Sequence, residues 1–498
     1  MREVIKKIGI AVWILTIIFF SLRLWIDLST PLPSRTSYAF IEEAREMLHG
    51  RIPLVGITIP RGYPTFPFMI YIYLPFILVG ESIGIKILDA LLYALLLPVA
   101  YLLLKSIIKE DTTSLLGAVI VMLLPIHSYF VNSASIVMVS VLLYILTIYL
   151  FLERRRIGSN SLITLLLILS LATPLAIIVA ISMILYVLFE RLLEKKIDKV
   201  EAELAVFYFL FTLWKTLIMY KDIIVHHRLI ELNNYEALLA GMFNTSITGL
   251  SSLLFIAIYI LLGIIGLIIL YSERKKAAKI ITANIVIMIA TIASGFMSSI
   301  DGLLILLFLP LPGVTMLLEY FMIGQAKLTK KAIETVDLNI KRYKEKTRKA
   351  VSLILISLLI VLSIPNISNS RVIAQSNSPT ILEVECLKNI APLENVGISC
   401  LNDEAFLVHY YSRKQPAVIR YGKLTEEERG IEKLIEELMK TPLETRALEI
   451  SHELGVGYIY ISRHAMESLN IKKPLYLETE CFKKICENNE SILYKVEC

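Results

Sequence analysis

Apolar residues run through this chain in continuous stretches of roughly 20, with the polar positions gathered between them. The stretch over 8–26 is typical, an unbroken row of Ile, Val, Leu, Phe and Trp behind Arg2, Lys6 and Lys7. About 20 helical residues rise the ~30 Å of a hydrocarbon core. The runs do not alternate residue by residue as barrel strands do, so they predict transmembrane helices. Spans are expected near 8–26, 84–104, 113–130, 134–152, 161–173, 174–190, 202–220, 251–271, 280–299, 302–323 and 351–365. No small-x-small cleavage site follows the first run, which reads as a retained anchor. The 161–190 pair has to turn at Thr173-Pro174 with two short helices.

Charge sets the orientation. Basic clusters over 153–156, 191–199, 274–279 and 327–349 mark cytoplasmic loops, and the N-terminus joins them. Parity then gives about eleven spans and puts the C-terminus outside. The run 63–79 does not fit this count and carries Pro64, Pro67 and Pro75. It reads as a re-entrant or outer-surface segment, so that one outer loop extends over 27–83. Composition agrees, at 56% hydrophobic residues and a mean hydropathy of +0.69, which excludes a soluble globule of this size. The net charge of +6 is used up by loop topology and implies no nucleic-acid partner. Abundant Ile, Lys and Glu with scarce Gln point to a prokaryotic, thermophilic source.

The composition changes after the last run, dividing the chain into a membrane domain over 1–367 and an extracytoplasmic α/β domain over 368–498. Strands are expected over 396–400, 417–421, 457–462 and 491–496. Thr425 and Glu428 form a capping box for a helix running to about Lys440, and a second helix ends at Gly455. All five cysteines, Cys386, Cys400, Cys481, Cys486 and Cys498, fall in this tail. An oxidising exterior with one or two disulfides accounts for that placement, and a zinc site is the alternative. Sequons at Asn244, Asn366 and Asn489 lie outside on this topology.

Candidate chemistry concentrates in the 27–83 loop. A helix through it sets Phe40, Ile41, Ala44, Met47 and Leu48 on one side and Glu42, Arg45, Glu46 and His49 on the other, the pattern of a helix lying along a bilayer surface. The order of features is distinctive: an N-terminal anchor, Tyr38-x-x-x-Glu42-x-Ala44-Arg45-Glu46-Met47, then Tyr63-Pro-Thr-Phe-Pro67, the 87–98 span, and 454–462 in the tail. In this layout the chain resembles the GT-C glycosyltransferases, among them oligosaccharyltransferases, protein mannosyltransferases and aminoarabinose transferases.

The resemblance implies transfer of a sugar from a polyprenyl-phosphate-linked donor to a protein or glycan acceptor on the outer face of the cell membrane, with membrane lipids as further partners. Such chemistry needs an acid at the membrane surface. Family members usually carry an aspartate about two residues before the tyrosine, where this chain has Thr36. A hydroxyl of ordinary pKa is no base near neutral pH. The candidate catalytic acids are therefore Asp27, Glu42 and Glu81, each also open to a solvated or ion-paired role, Glu42 with Arg45.

Arg35, Thr36, Ser37, Tyr38, Arg51 and Arg61 are the candidate substrate-binding residues, the arginines suiting a lipid phosphate or, more generally, phospholipid headgroups. No metal ligand set is evident. His226 and His227, near Asp222 and Glu231, could suggest a metal, but adjacent histidines point to different sides of a helix, so the cofactor stays open, a divalent cation included. Lys86 and Asp89, three residues apart inside a span, are expected to neutralise each other. Two other functions remain: a catalytically silent protein that binds lipid-linked glycan or a partner, and a transporter.

Overall fold

The computed structural model describes residues 2–50, 67–108, 110–124, 127, 136–172, 176–194, 198–219, 246–293, 308–323, 354, 357–363, 370–372, 374–375, 378–390, 396–419 and 426–498. The molecule is mostly helical. The helices of the first three quarters are α1 (Arg2–Asp27), α2 (Tyr38–Leu48), α3 (Pro67–Val79), α4 (Glu81–Ile108), α5 (Asp111–Met122), α6 (Ile136–Leu152), α7 (Arg154–Ile157), α8 (Ser159–Ala172), α9 (Ala176–Glu194), α10 (Lys199–Met219), α11 (Ser246–Glu273), α12 (Lys275–Ala293) and α13 (Leu311–Ile323). Within these, Gly9–Asp27, Glu81–Ile108, Ala176–Glu194 and Leu254–Glu273 are long and apolar enough to cross a membrane.

The central post is α4, which packs against α1, α3, α5, α6 and α13. Its apolar residues lie all round the helix rather than on one stripe, so it is covered on all sides and mostly buried. By contrast α1 keeps Trp13, Ile14, Ile17 and Trp25 exposed on one side, an apolar face of the kind that lipid covers. The second strong pairing joins α11 to α13 and depends on glycine. A Cβ at Gly266 would meet the Gly313 carbonyl oxygen at 1.8 Å, and one at Gly313 would meet the Gly263 oxygen at 2.3 Å. Backbones this close need residues without side chains.

The charged loops at the other end of α6 and α9 are tied to acidic residues. Arg154 lies 2.9 Å from Asp198 and 3.3 Å from Glu201, and Lys276 lies 2.7 Å from Glu201.

In the tail, α14 (Ile381–Lys388), α15 (Ala405–Ser412), α16 (Glu426–Lys440), α17 (Glu444–Leu454) and α18 (Arg463–Leu469) accompany a four-stranded sheet. Its strands β1 (Gly397–Ser399), β2 (Val456–Ser462), β3 (Phe482–Glu487) and β4 (Ser491–Val496) stand in the order β1-β2-β4-β3. The first pair is parallel and the other two are antiparallel. Alternation sorts the side chains of β2 to two faces. Ile459 and Ile461 join the core under α16 and α17, while Tyr458 and Tyr460 join the core under α14 and α15.

The sheet differs from the expectation in two places. Of the segment expected as a strand over 417–421, the described residues 417–419 form no strand; the adjoining Pro416 makes one isolated bridge to Ile398, and a proline cannot donate to a longer ladder. The strand β3 was not foreseen, since Lys483 and Lys484 break its apolar alternation. Gly455 ends α17 in the left-handed conformation, at φ 64°, as its position predicts. Disulfides join Cys386 to Cys486 and Cys481 to Cys498, and Cys400 is a buried free thiol. The proposed Thr425 cap lies outside the described residues.

Most important for the site, α14 and α15 are sandwiched. Ala405 and Val408 face the sheet, whereas Val384, Phe406, Leu407 and Tyr410 belong to the same apolar core as the long helices.

Candidate functional site

The first turns of α4 are where the long loop, α2 and the tail come together. Ser82 donates to the Pro31 carbonyl at 2.9 Å, and the Lys86 ammonium donates to the carbonyls of Thr30 and Pro31. One helical turn deeper, Asp89 accepts from Arg23 Nε of α1 at 2.8 Å. The same Arg23 lies 3.7 Å from Asp27 and donates to the His127 carbonyl at 3.2 Å. Lys86 and Asp89 therefore do not neutralise each other. Each turns to a different element, because Arg23 offers Asp89 a guanidinium and the loop offers Lys86 two carbonyls. Asp27, fully buried at the end of α1, belongs to this buried charge cluster.

Above it, α2 packs against protein on two sides. It is wedged between α3 and α15, which bury Glu42 at 4% exposure, while Arg45 and His49 further along the same polar face stay partly or fully exposed. A buried carboxylate needs a partner, and Glu42 finds its main ones in the tail, with Arg45 a lesser attraction. Arg413 Nη1 donates to it at 3.3 Å, and His409 Nε2 lies 3.5 Å away. The His409 Nδ1 hydrogen points at the Lys414 carbonyl, 2.8 Å away. That leaves Nε2 facing Glu42. Burial raises the Glu42 carboxyl above its ordinary value, and His409 and Arg413 oppose the rise.

Tyrosines complete the junction. The Tyr38 ring packs on Tyr410 and Tyr411 with centroids 5.2 and 5.6 Å away, and its hydroxyl lies 3.2 Å from that of Tyr411. Tyr410 donates to Glu81 and accepts from Arg45 at 3.2 Å. Glu81 is half exposed and lies 3.8 Å from Arg45. Burial holds the Tyr38 and Tyr410 hydroxyls well above their ordinary pKa, so both are neutral hydrogen-bonding groups near pH 7.

Arg35 opens the short 3-10 turn Arg35–Ser37 that leads into α2. It is buried, with Nη2 donating to both carboxylate oxygens of Glu383, at 2.8 and 3.0 Å, and Nε 3.6 Å from Glu404. Ser37 is buried beside it. The Thr36 side chain, Arg51, Arg61 and the residues 222–231 lie outside the described residues. Among the described residues there is no group of three or more His, Cys, Asp or Glu that could hold a metal ion.

The structure thus gathers Glu42, Glu81 and Tyr38 at one junction, sets Asp27 in the neighbouring cluster, and engages Arg35 with the tail. Sequence reasoning missed Arg23, His409, Tyr410, Tyr411 and Arg413. Two signals were present: an arginine inside the first apolar run, four residues before Asp27, and the dense aromatic and basic run His409-Tyr-Tyr-Ser-Arg-Lys414. Nothing local distinguishes Glu383 or Glu404.

No protein-family model and no curated protein matches the chain. Solved structures do. The oligosaccharyltransferase of Archaeoglobus fulgidus in its apo form aligns with a TM-score of 0.63 at 11% identity, covering 94% of this chain and 73% of that one. ArnT from Cupriavidus metallidurans aligns at 0.54 and 12% identity over 98% of both chains. The mycobacterial arabinofuranosyltransferase AftD aligns at 0.52 and 12% identity, covering 97% of this chain but 40% of its own length. At such identities the likeness is one of fold, and the chain has the fold of the GT-C glycosyltransferases.

Proposed function

We propose that this protein is a membrane glycosyltransferase that moves a sugar from a polyprenyl-phosphate-linked donor to an acceptor on the extracytoplasmic face. The observation that carries the reading is the end-to-end alignment with ArnT, over 98% of both chains. Structures of the matched proteins hold dolichol-phosphate with an inhibitory peptide in one case and undecaprenyl phosphate in another, the donor chemistry proposed here. On this reading the junction of α2, α4 and α15 faces outward, the N-terminus is cytoplasmic, and about eleven helices span the membrane. The residues before 368 then form the membrane domain and those after it an extracytoplasmic α/β domain.

Glu42 is the leading candidate for the general acid or base. It is a buried carboxylate with a raised pKa beside a histidine, the environment in which such groups work. Asp27 and Glu81 are the alternatives, and Arg51 and Arg61 of the long loop would meet the donor phosphate, since Arg35 is engaged by Glu383 and Glu404. A second reading has one observation in its favour. Asp27, Glu42 and Glu81 each already have an arginine beside them, as expected of a silent protein that binds lipid-linked glycan.

The test uses purified full-length protein in lipid nanodiscs with a polyprenyl-phosphate-linked, isotope-labelled hexose, scoring transfer to peptide or glycan acceptors and hydrolysis to free sugar. Turnover that falls about 10²-fold or more in Glu42→Gln supports the assignment. Turnover lost only in Asp27→Asn or Glu81→Gln moves the chemistry to that residue. Saturable binding without transfer or hydrolysis, across several sugars, establishes the silent reading.

A further inference from the structure

We infer that Glu383 and Glu404, from the two tail helices sandwiched between sheet and bundle, are positioning residues for the long-loop turn 34–38, which they hold through Arg35. The inference rests on the glycosyltransferase reading for its catalytic consequence and on the geometry alone for its mechanical part.

The three side chains are buried together, Arg35 at 6%, Glu383 at 2% and Glu404 at 0% exposure. Arg35 sits at the start of the turn, where the Ser37 amide donates to the Ser34 carbonyl at 3.0 Å and α2 begins. Fixing the guanidinium therefore fixes the entry angle of the helix that carries Tyr38 and Glu42. Both carboxylates are themselves held. Glu383 closes the α14 capping box, accepting from the Thr380 amide at 2.7 Å while Thr380 accepts from the Glu383 amide. Glu404 accepts from the Ser462 hydroxyl at the end of β2. Three residues along α14 from Glu383, Cys386 is bonded to Cys486 of β3. The chain of constraint thus runs from the sheet, through a disulfide and a helix cap, to one arginine next to Thr36. A guanidinium that only needed neutralising at the surface would not require two carboxylates locked in this way.

The test compares Glu383→Gln, Glu404→Gln and the double variant with wild type and with Glu467→Gln. The last makes the same charge change in the exposed Arg463 pair of α18. Glutamine keeps the capping acceptor, so α14 stays capped. Two readouts are taken on the full-length protein: steady-state kinetics with the labelled polyprenyl-phosphate hexose, and hydrogen exchange of peptides covering residues 30–48. The expected result is a kcat lowered between about 10- and 100-fold, a KM within about twofold, faster exchange over 34–40, folded protein retained at the assay temperature, and partial recovery in Glu383→Asp. Wild-type exchange over 34–40 in both variants overturns the inference, as does a kcat loss that merely follows lost folded protein. If wild type shows no turnover, the glycosyltransferase reading fails, and exchange alone decides whether these carboxylates hold the turn.

Discussion

At the scale of single residues, the junction works by setting burial against charge. Glu42 is buried enough for its carboxyl to be pushed up, and Arg413 pulls it back. Arg413→Gln removes one of the opposing cations, so the Glu42 pKa rises further. If Glu42 acts as a base, the acid limb of the kcat/KM profile moves to higher pH, and a profile that stays in place removes Glu42 from that role. Tyr410→Phe deletes the hydroxyl between Arg45 and Glu81 and is expected to destabilise the protein by about 1 kcal/mol in denaturant titrations. The legibility of these residues was uneven for a physical reason. Tyr38, Glu42 and Glu81 can be singled out because the 27–83 loop carries polar residues against an apolar background. Their partners His409, Tyr410 and Arg413 could not, because an ion pair spanning 371 residues leaves no periodicity for local reading to detect.

At the scale of elements, apolar runs predicted helices well, because a hydrocarbon solvent leaves the backbone few other choices. Such a pattern does not name the protein partners of α2. Amphipathic spacing marks a polar side, but not that Glu42 on it meets His409 and Arg413 at the end of α15. Strand β3 was missed because two lysines occupy an exposed stretch that packing on β4 alone makes regular.

Glycine at the α11–α13 crossing gives an element-scale prediction. Gly266→Leu should destabilise the bundle by about 1–3 kcal/mol or more, seen as a lower melting temperature in detergent. Gly430→Ala in α16, where nothing lies within 4 Å of the added carbon, should gain about 0.5–1 kcal/mol.

The start of α15 predicts a pH dependence. Burial, with Asp403 adjacent, raises the Glu404 carboxyl from 4.5 to about 7, and a hydrogen bond to Asp403 raises His464. Both folded values exceed the unfolded ones, so both groups favour folding when protonated. The Glu404 contribution is complete below about pH 4.5 and is lost as pH rises through about 7. Melting temperature should therefore fall from pH 5 toward pH 7.5, and Glu404→Gln should flatten that slope.

At the scale of the whole molecule, the tail is joined to the bundle by a shared apolar core and by two ionic grips, Arg35 with Glu383 and Glu404, and Glu42 with Arg413. The Cys386–Cys486 disulfide closes a loop of 100 residues and should contribute about 2–5 kcal/mol. Reduction is expected to lower the melting temperature by that measure. Thiol alkylation should tag no cysteine in the native protein, Cys400 alone after unfolding, and all five after unfolding with reduction. Three or more tags without reductant would disprove the pairing. The separation of Arg35 from Glu383 has a consequence for biosynthesis. The 348 residues between them take roughly 20 to 70 s to translate at 5–20 residues per second. Throughout that interval the arginine has no Glu383 to bond, so the loop turn stays unset in a nascent chain until α14 has been made. The enzyme proposed here would thus be born inactive, and a chain stalled partway would expose no working site to its lipid substrate.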